Sequence, residues 1–147
     1  MSTVTAGVQN KVTLRPFKEE NITDEYLKWF KDKGFTRYLE SKDITKQQAL
    51  EHYRQCKRDG SFFYAIYDGD HVGNIKLNAD NDLSIIIFPP YQGRGYATDA
   101  IRAVCDATRA NRITAGIRSG NIGSLKAFKK NGFTVLCITQ DKYLLCK

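Results

Sequence analysis

Residues 88–99 read FPPYQGRGYATD, and this stretch decides the fold. It begins where an apolar run, Leu83–Phe88, meets two prolines, and it continues with two glycines on either side of Arg94. A helical repeat of apolar residues follows at once, at Ala97, Ala100, Ile101, Val104 and Cys105. The pattern predicts a buried strand, a tight glycine turn and the first turn of an amphipathic helix.

The size and charge of the chain limit the classes of protein that it could be. Its 147 residues, 41% hydrophobic and 27% charged, suit a tail over residues 1–10 and a single domain over residues 11–147. No apolar run reaches the roughly 18 residues that span a bilayer, so we expect no membrane span. The formal charge of +7 favours anionic partners and leaves nucleic acid, a phosphorylated cofactor and an anionic sugar open.

The cysteines and histidines indicate a reduced protein without a metal site. Four cysteines are widely spaced, and only two histidines are present, so no metal-ligand spacing occurs. Cys105 and Cys137 fall at positions typical of small core residues. Reduced thiols predict a cytoplasmic location.

Strand and helix patterns alternate along the whole chain. Helices are predicted after four starting signals, namely Asn21, Thr45, the glycine turn and Asn121. Strands are predicted at Lys11–Phe17, Ser61–Tyr67, His71–Leu77, Leu83–Phe88, Arg112–Arg118, Phe133–Ile138 and Asp141–Cys146. This order predicts a mixed α/β (α+β) fold whose antiparallel strands come first.

The glycine turn has the chemistry of an anion site. The first N–H groups of a helix have no intrahelical acceptor, and the helix dipole adds positive character there. An anion would contact the amides of Gly93 through Ala97, with Arg94 as a charged donor. The P-loop pattern is absent, and the dinucleotide fingerprint fails at Thr98. The remaining pattern, Q-x-x-G-x-A over Gln92–Ala97, suits a pyrophosphate.

The sequence resembles the GCN5-related N-acetyltransferases, the GNAT superfamily. The resemblance covers Val12 to about Cys146 and rests on the turn together with HVGNIKL, LSIIIF, RITAGIRSGN and NIGSLKAFKKNGF. It implies a mostly antiparallel sheet of about six or seven strands, flanked by about four helices, with a V-shaped splay after the central strand. The sequence is most similar to the branch that acetylates ribosomal-protein N-termini and certain amino sugars.

The resemblance also implies how acetyl-CoA, the only co-substrate expected, would bind without a metal. Its pantetheine arm would lie along Ile86, Ile87 and Phe88, with a freed N–H at or near Ile87 on the thioester carbonyl. Asn121, which is also a predicted helix cap, would contact the pantetheine arm. The pyrophosphate would bind the turn residues Gln92, Gly93, Arg94, Gly95, Tyr96 and Ala97.

The catalytic groups depart from the family pattern. Many members carry a tyrosine acid seven residues after the matching asparagine, and here that position is Phe128. Ser124, one helical turn after Asn121, is the alternative acid and also a candidate cofactor contact, and water is another possible acid. Asp82 and Glu40 are candidates for the base, although Asp82 could instead be a turn residue and Glu40 a surface charge.

These residues predict an N-acetyltransferase that transfers acetyl directly to a primary amine. The favoured acceptor is a small-molecule amine, a nucleotide-linked amino sugar, and the alternative is a protein N-terminal α-amine. Two other classes stay open, a non-catalytic acyl-CoA-binding sensor and a basic nucleic-acid-binding module. We expect no nucleic-acid partner and either a monomer or a homodimer.

Overall fold

The fold is described from a computed structural model that covers residues 4–5, 12–39 and 43–147. Most of the predicted tail, Lys11 at the start of the first predicted strand, and Glu40 lie outside these residues. Within the predicted tail, Val4–Thr5 forms a short strand. None of the described helices has the length and hydropathy needed to cross a membrane.

Eight strands and five α-helices make up the described part of the chain. The strands are β1 (Val4–Thr5), β2 (Thr13–Pro16), β3 (Phe62–Asp68), β4 (Asp70–Leu77), β5 (Leu83–Ile87), β6 (Thr114–Arg118), β7 (Thr134–Ile138) and β8 (Lys142–Cys146). The helices are α1 (Asp24–Trp29), α2 (Lys33–Thr36), α3 (Lys46–Arg58), α4 (Tyr96–Ala107) and α5 (Ile122–Lys130).

The strands form two antiparallel sheets that meet at one point. The larger sheet has the order β1-β2-β3-β4-β5, and the smaller has the order β6-β8-β7. A single parallel bridge between Asp82 and Thr114 joins them, at the start of β5 and β6. The predicted mixed sheet and its V-shaped opening are confirmed. The opening begins at Leu83, earlier along the strand than the prolines after Phe88 suggested.

Helices cover both faces of the larger sheet. On one face, Leu14, Ile66 and Ile75 pack in a core with Ala100 and Ile101 of α4. On the other face, an aromatic cluster joins the sheet to α1, α2 and α3, and its buried members include Phe17, Tyr26, Phe30, Phe35 and Phe88. The helical repeat after the glycine turn therefore packs as predicted, with Ala100 and Ile101 completely buried.

The β4 and β5 strands approach each other unusually closely at Gly73. Gly73 lies opposite Ile87, and a Cβ at Gly73 would lie 2.2 Å from the carbonyl oxygen of Ile86. Because no side chain can occupy that space, only glycine allows the two strands to pair this closely here.

Helix starts follow the predicted signals with one exception. Thr45 caps α3 through a capping box with Gln48, as its sequence predicts. The predicted cap Asn21 is wrong, because Thr23 caps α1 while Asn21 ends a 3-10 turn and bonds to Tyr67. Asp32 caps the short α2, which the sequence patterns did not predict.

The prediction for Cys137 is also wrong, since its side chain is exposed. Cys137 lies on the edge strand β7, just after a register shift between Val135 and Cys137. That irregularity changes which side chains face the core, and strand alternation in the sequence does not reveal it. Cys105 is half-buried against the core, and all four thiols are free.

Candidate functional site

The opening between the two sheets contains a cavity of about 730 Å³. Its walls come from β5, from β6 with the start of α5, and from α1 and α3 on the aromatic face of the larger sheet. The predicted site residues Asp82, Ile86, Asn121 and Ser124 all line it, together with Phe128. The structure therefore brings the predicted acid, one predicted base and two predicted cofactor contacts to one space.

The cavity narrows to the point where the two sheets join. The Thr114 N–H donates to the Asn81 carbonyl at 3.0 Å, and the Thr114 hydroxyl donates to Asp82 Oδ1 at 2.7 Å. The Asp82 N–H donates in turn to Asn78 Oδ1 at 3.0 Å. Asp82 thus has a structural role at the junction and also lines the cavity.

Beyond this junction one edge of β5 has no neighbour among the described strands. The Phe88 N–H donates to Val72 of β4, so strand alternation turns the N–H groups of Ile85 and Ile87 away from β4. The carbonyl of Ile87 accepts from Gln92 Nε2 at 2.8 Å. An extended polar chain could pair with this edge as an added strand would.

Phe88 does not belong to the open edge, contrary to its predicted role. Its N–H is bonded to Val72, and its carbonyl accepts from the Tyr91 N–H. The ring is 1% exposed and packs edge-on against Tyr26 and His71. Phe88 is therefore a core residue, because both its backbone groups and its ring already have protein partners.

The glycine turn presents backbone N–H groups to solvent at the end of β5. Gly93 and Gly95 have φ values of 76° and 87°, in the left-handed region that glycine favours. Gly95 occupies the N-cap of α4 without a side chain to cap it, and the first helical bond joins Asp99 N–H to Gly95. The N–H groups of Tyr96, Ala97 and Thr98 thus precede the helical ladder, as an anion site requires.

The side chains of Tyr96 and Arg94, two residues of the predicted anion site, interact with each other, and Tyr96 also bonds to Asp68. The Tyr96 ring is buried, and its hydroxyl donates to Asp68 at 2.5 Å. This bond raises the pKa of Tyr96, and a hydrogen bond with Arg94 opposes the rise. The Tyr96 side chain is therefore held by packing and by Asp68, which leaves its backbone N–H as the group that the predicted anion site would use.

The start of α5 forms the wall opposite β5. Asn121 caps this helix by accepting from the Ser124 N–H at 3.4 Å, as its sequence predicts. Ser124 is half-buried at the cavity wall. Phe128 is 2% exposed and packs edge-on against Phe133, so it closes the cavity floor without offering a proton.

Across the cavity, a buried polar group lies within the aromatic cluster. Asn74 on β4 is 4% exposed, donates to the Tyr26 hydroxyl at 3.0 Å and lies 2.8 Å from His71 Nε2. Burial raises the pKa of Tyr26 to about 12 and lowers the pKa of His71. Tyr26 and Asn74 both line the cavity with polar atoms that are neutral at pH 7.

A second polar pair lies farther along the same wall. Lys76 Nζ on β4 is 3.3 Å from His52 Nε2 on α3. Burial, with the Lys76 charge as a second cause, lowers the pKa of His52. The sequence did not single out Asn74 or Lys76, which are two residues apart on β4 and therefore lie on the same face of the sheet.

The structure thus gathers Asp82, Ile86, Asn121 and Ser124 around one cavity, and it keeps the glycine turn at the outer end of β5, outside the cavity lining. Glu40 lies outside the described residues. In this α/β domain an open strand edge ends beside an uncapped helix N-terminus. That arrangement suits a phosphorylated cofactor with a long arm. Comparison with known proteins supports this class of domain. The sequence profile of the acetyltransferase (GNAT) domain matches residues 11–134, and the chain belongs to this family.

Solved structures share the fold at low sequence identity. A spermidine N-acetyltransferase from Vibrio cholerae, in complex with CoA and spermine, has a TM-score of 0.79 and 17% identity over 93% of this chain and 95% of that one. RimL, a ribosomal L7/L12 α-N-protein acetyltransferase bound to coenzyme A, has a TM-score of 0.84 and 15% identity over 99% and 97%. The aminoglycoside acetyltransferase AAC(6')-Ib with coenzyme A has a TM-score of 0.76 and 14% identity over 92% and 94%. No curated protein matches the sequence significantly.

The junction of the two sheets gives a direct test of the structural role of Asp82. Thr114→Val removes the hydroxyl donor at nearly constant shape, and we expect it to lower the free energy of unfolding by about 1–3 kcal/mol. Asp82→Asn keeps an acceptor for Thr114 and should lower it less. Urea denaturation measures both, with Thr134→Val as the control because its hydroxyl makes only a 3.4 Å exposed contact. Equal stability of Thr114→Val and the wild type would contradict this role.

Proposed function

We propose that the protein transfers acetyl from acetyl-CoA directly to a primary amine, and that the amine belongs to a nucleotide-linked amino sugar. The observation that carries the proposal is the unpaired edge of β5, which borders the cavity and ends beside the uncapped N-terminus of α4. A cofactor arm needs such an edge, and its pyrophosphate needs such a helix start.

The glycine turn would hold the pyrophosphate. The N–H groups of Tyr96, Ala97 and Thr98 point out of the first turn of α4, and the Gly93 and Gly95 positions have nothing within 4 Å of an added Cβ. That open space allows phosphate oxygens to approach the backbone. Arg94, which is exposed, would add a charged contact.

The pantetheine arm would then run along β5 towards the cavity. One of its amides would replace the Gln92 amide on the Ile87 carbonyl, which places the thioester at or near the Ile87 N–H. Asn121 faces this path from the start of α5 and supplies an amide side chain. Coenzyme A would thus take the place of the strand that the V-shaped opening lacks.

Transfer then needs only orientation, one oxyanion donor and two proton movements. The amine nitrogen attacks the thioester carbonyl, the Ile87 N–H stabilises the oxyanion, and the C–S bond breaks as the amide forms. The departing thiolate takes a proton from the Ser124 hydroxyl or from water, and the proton that the nitrogen gives up as the amide forms returns through water to that group. The amine must be neutral before it attacks, since an ammonium has no lone pair.

The base that accepts the amine proton is proposed to be Asp82, acting through a chain of water molecules, because Asp82 is five residues and thus about 17 Å from Ile87 along the strand. Asp82 lines the cavity, and one of its oxygens accepts from Thr114. Its second oxygen supplies an acceptor on the side of the cavity where the two sheets join. Glu40 stays the other candidate.

The protein N-terminal α-amine is the second acceptor considered. It is favoured by the similarity to RimL, whose TM-score is the highest among the three structures described above. The nucleotide-linked amino sugar is favoured by the net positive charge of the chain and by three cations at the cavity wall, Lys76, Arg118 and Lys142.

Gly95→Glu tests the pyrophosphate site. The φ of 87° makes any L-residue costly there, by about 1–2 kcal/mol, while the added carboxylate repels the pyrophosphate. We expect a folded protein whose melting temperature acetyl-CoA no longer raises, whereas acetyl-CoA at about 100 times Kd should stabilise the wild type by about 2.7 kcal/mol. Gly60→Glu is the matched control, since Gly60 has a φ of 77° and nothing within 4 Å. A wild-type thermal shift in Gly95→Glu would exclude acetyl-CoA binding at the turn.

Ser124→Ala tests the proposed acid. Because a thiolate is already a good leaving group, we expect kcat to fall about 10–100-fold, at the low end of general acid effects, with acetyl-CoA affinity unchanged. Ser84→Ala, at a serine that also lines the cavity, should leave kcat near the wild-type value. An unchanged kcat in Ser124→Ala would assign the proton to water.

The acceptor is tested by acetyl-CoA-dependent thiol release. A nucleotide-linked 4-amino-6-deoxy sugar and a peptide with a free N-terminal serine or alanine are compared at equal concentration. We expect turnover with the sugar and not with the peptide. Turnover with the peptide alone would make the protein an N-terminal acetyltransferase, and silence on both with intact acetyl-CoA binding would favour an acyl-CoA sensor.

A further inference from the structure

We propose that Lys76 and His52 form an anion subsite in the cavity, and that the acceptor therefore carries a phosphate or carboxylate group in addition to its amine. This inference rests on the proposed acetyl transfer and names the class of acceptor that the cavity selects. It follows from the position, the protonation and the surroundings of the two side chains.

The two side chains meet on the acceptor side of the cavity. Lys76 lies between Phe63 of β3 and Ser84 of β5 in the sheet, and all three line the cavity. His52 extends from α3 to within 3.3 Å of Lys76 Nζ, and its ring packs edge-on against Phe63. Phe63 in turn stacks on Phe17 at 4.4 Å, so aromatic packing holds the pair in place.

Their protonation leaves donors for a ligand. Because burial and Lys76 lower the pKa of His52, its imidazole is neutral at pH 7 and its Nε2 accepts from the Lys76 ammonium. Of the three ammonium N–H groups, two stay available. Cys56 Sγ lies 3.7 Å from the same Nε2.

Asp59, a carboxylate that interacts electrostatically with this pair, also accepts hydrogen bonds from Ser61. Asp59, just after α3, interacts electrostatically with Lys76 and His52, and its carboxylate accepts from both the N–H and the hydroxyl of Ser61. Its pKa is lowered, with the Ser61 hydroxyl bond as the first cause. Asp59 does not line the cavity, so an anion that enters would meet Lys76 first.

The charge of the whole cavity wall supports the same acceptor class. The described residues that line it include the cations Lys76, Arg118 and Lys142 and one carboxylate, Asp82. Such a wall attracts anions and repels polycations. A polyamine or an aminoglycoside would have to bring several ammonium groups into this field.

Strand geometry also sets the spacing between the amine and the anionic group. Ser84, the partner of Lys76, is three residues from Ile87, so their backbones are about 10 Å apart at roughly 3.4 Å per residue. An amine at the Ile87 N–H and an anion at Lys76 must therefore be several bonds apart. A sugar phosphate meets this requirement, and the α-carboxylate of an amino acid is too close to its own amine.

The test compares ω-aminoalkyl phosphates of two to six carbons with the amino alcohols of the same length. Acetyl transfer is measured for the wild type, Lys76→Gln, Lys76→Arg and Lys57→Gln. Lys57, on α3 beside Tyr53, is the control lysine because it does not line the cavity. We expect the wild type to prefer the longer phosphates at least 10-fold in kcat/KM. Lys76→Gln should remove this preference by lowering kcat/KM for the phosphates, and Lys76→Arg and Lys57→Gln should keep it.

Binding of the same probes to the CoA-loaded protein, measured by calorimetry, separates this inference from the proposed transfer. Binding that depends on the phosphate and on Lys76, without acetyl transfer, supports the subsite and counts against the transfer. Equal kcat/KM for phosphates and alcohols, or binding that Lys76→Gln leaves unchanged, overturns the subsite. A protein that binds acetyl-CoA but neither type of probe overturns it as well.

Discussion

The cleft depends on a short junction, the one point at which the two sheets are hydrogen-bonded within the described residues. Thr114 bonds Asn81 through its N–H and Asp82 through its hydroxyl, and the ladder stops there. A longer ladder would pair β5 with β6 and fill the space that is now a cavity. The short junction therefore fixes the angle of the opening and leaves an edge of β5 free for a ligand.

The two sides of the cleft consist of different chemical groups. The proposed donor side uses backbone groups, those of Ile87 and of the first turn of α4, whose geometry depends on the fold more than on side-chain identity. The proposed acceptor side uses side chains from α1, α3, β3 and β4. Solved structures with this fold, at about 15% identity, include enzymes for spermidine, a ribosomal protein and an aminoglycoside. A common backbone with variable side chains accounts for such diversity.

The sequence predicted what local patterns determine. The glycine turn, the α4 repeat and the caps Thr45 and Asn121 are short-range signals, and each lies where it was predicted. The register shift that exposes Cys137, the protein partners of Phe88 and the meeting of Lys76 with His52 depend on contacts between distant segments. Helical and strand periodicity carry no information on such contacts. The acceptor wall, built from four separate elements, was therefore the least predictable part.

The close approach at Gly73 also bears on how the chain folds. Only glycine fits opposite Ile87, because any Cβ would meet the Ile86 carbonyl at 2.2 Å. A hairpin of β4 and β5 in another register would bring a residue with a Cβ to that position, and the two strands would have to separate locally. Gly73 therefore favours the native register over its neighbours. The absence of a side chain at Gly73 thus helps to specify how the two central strands align.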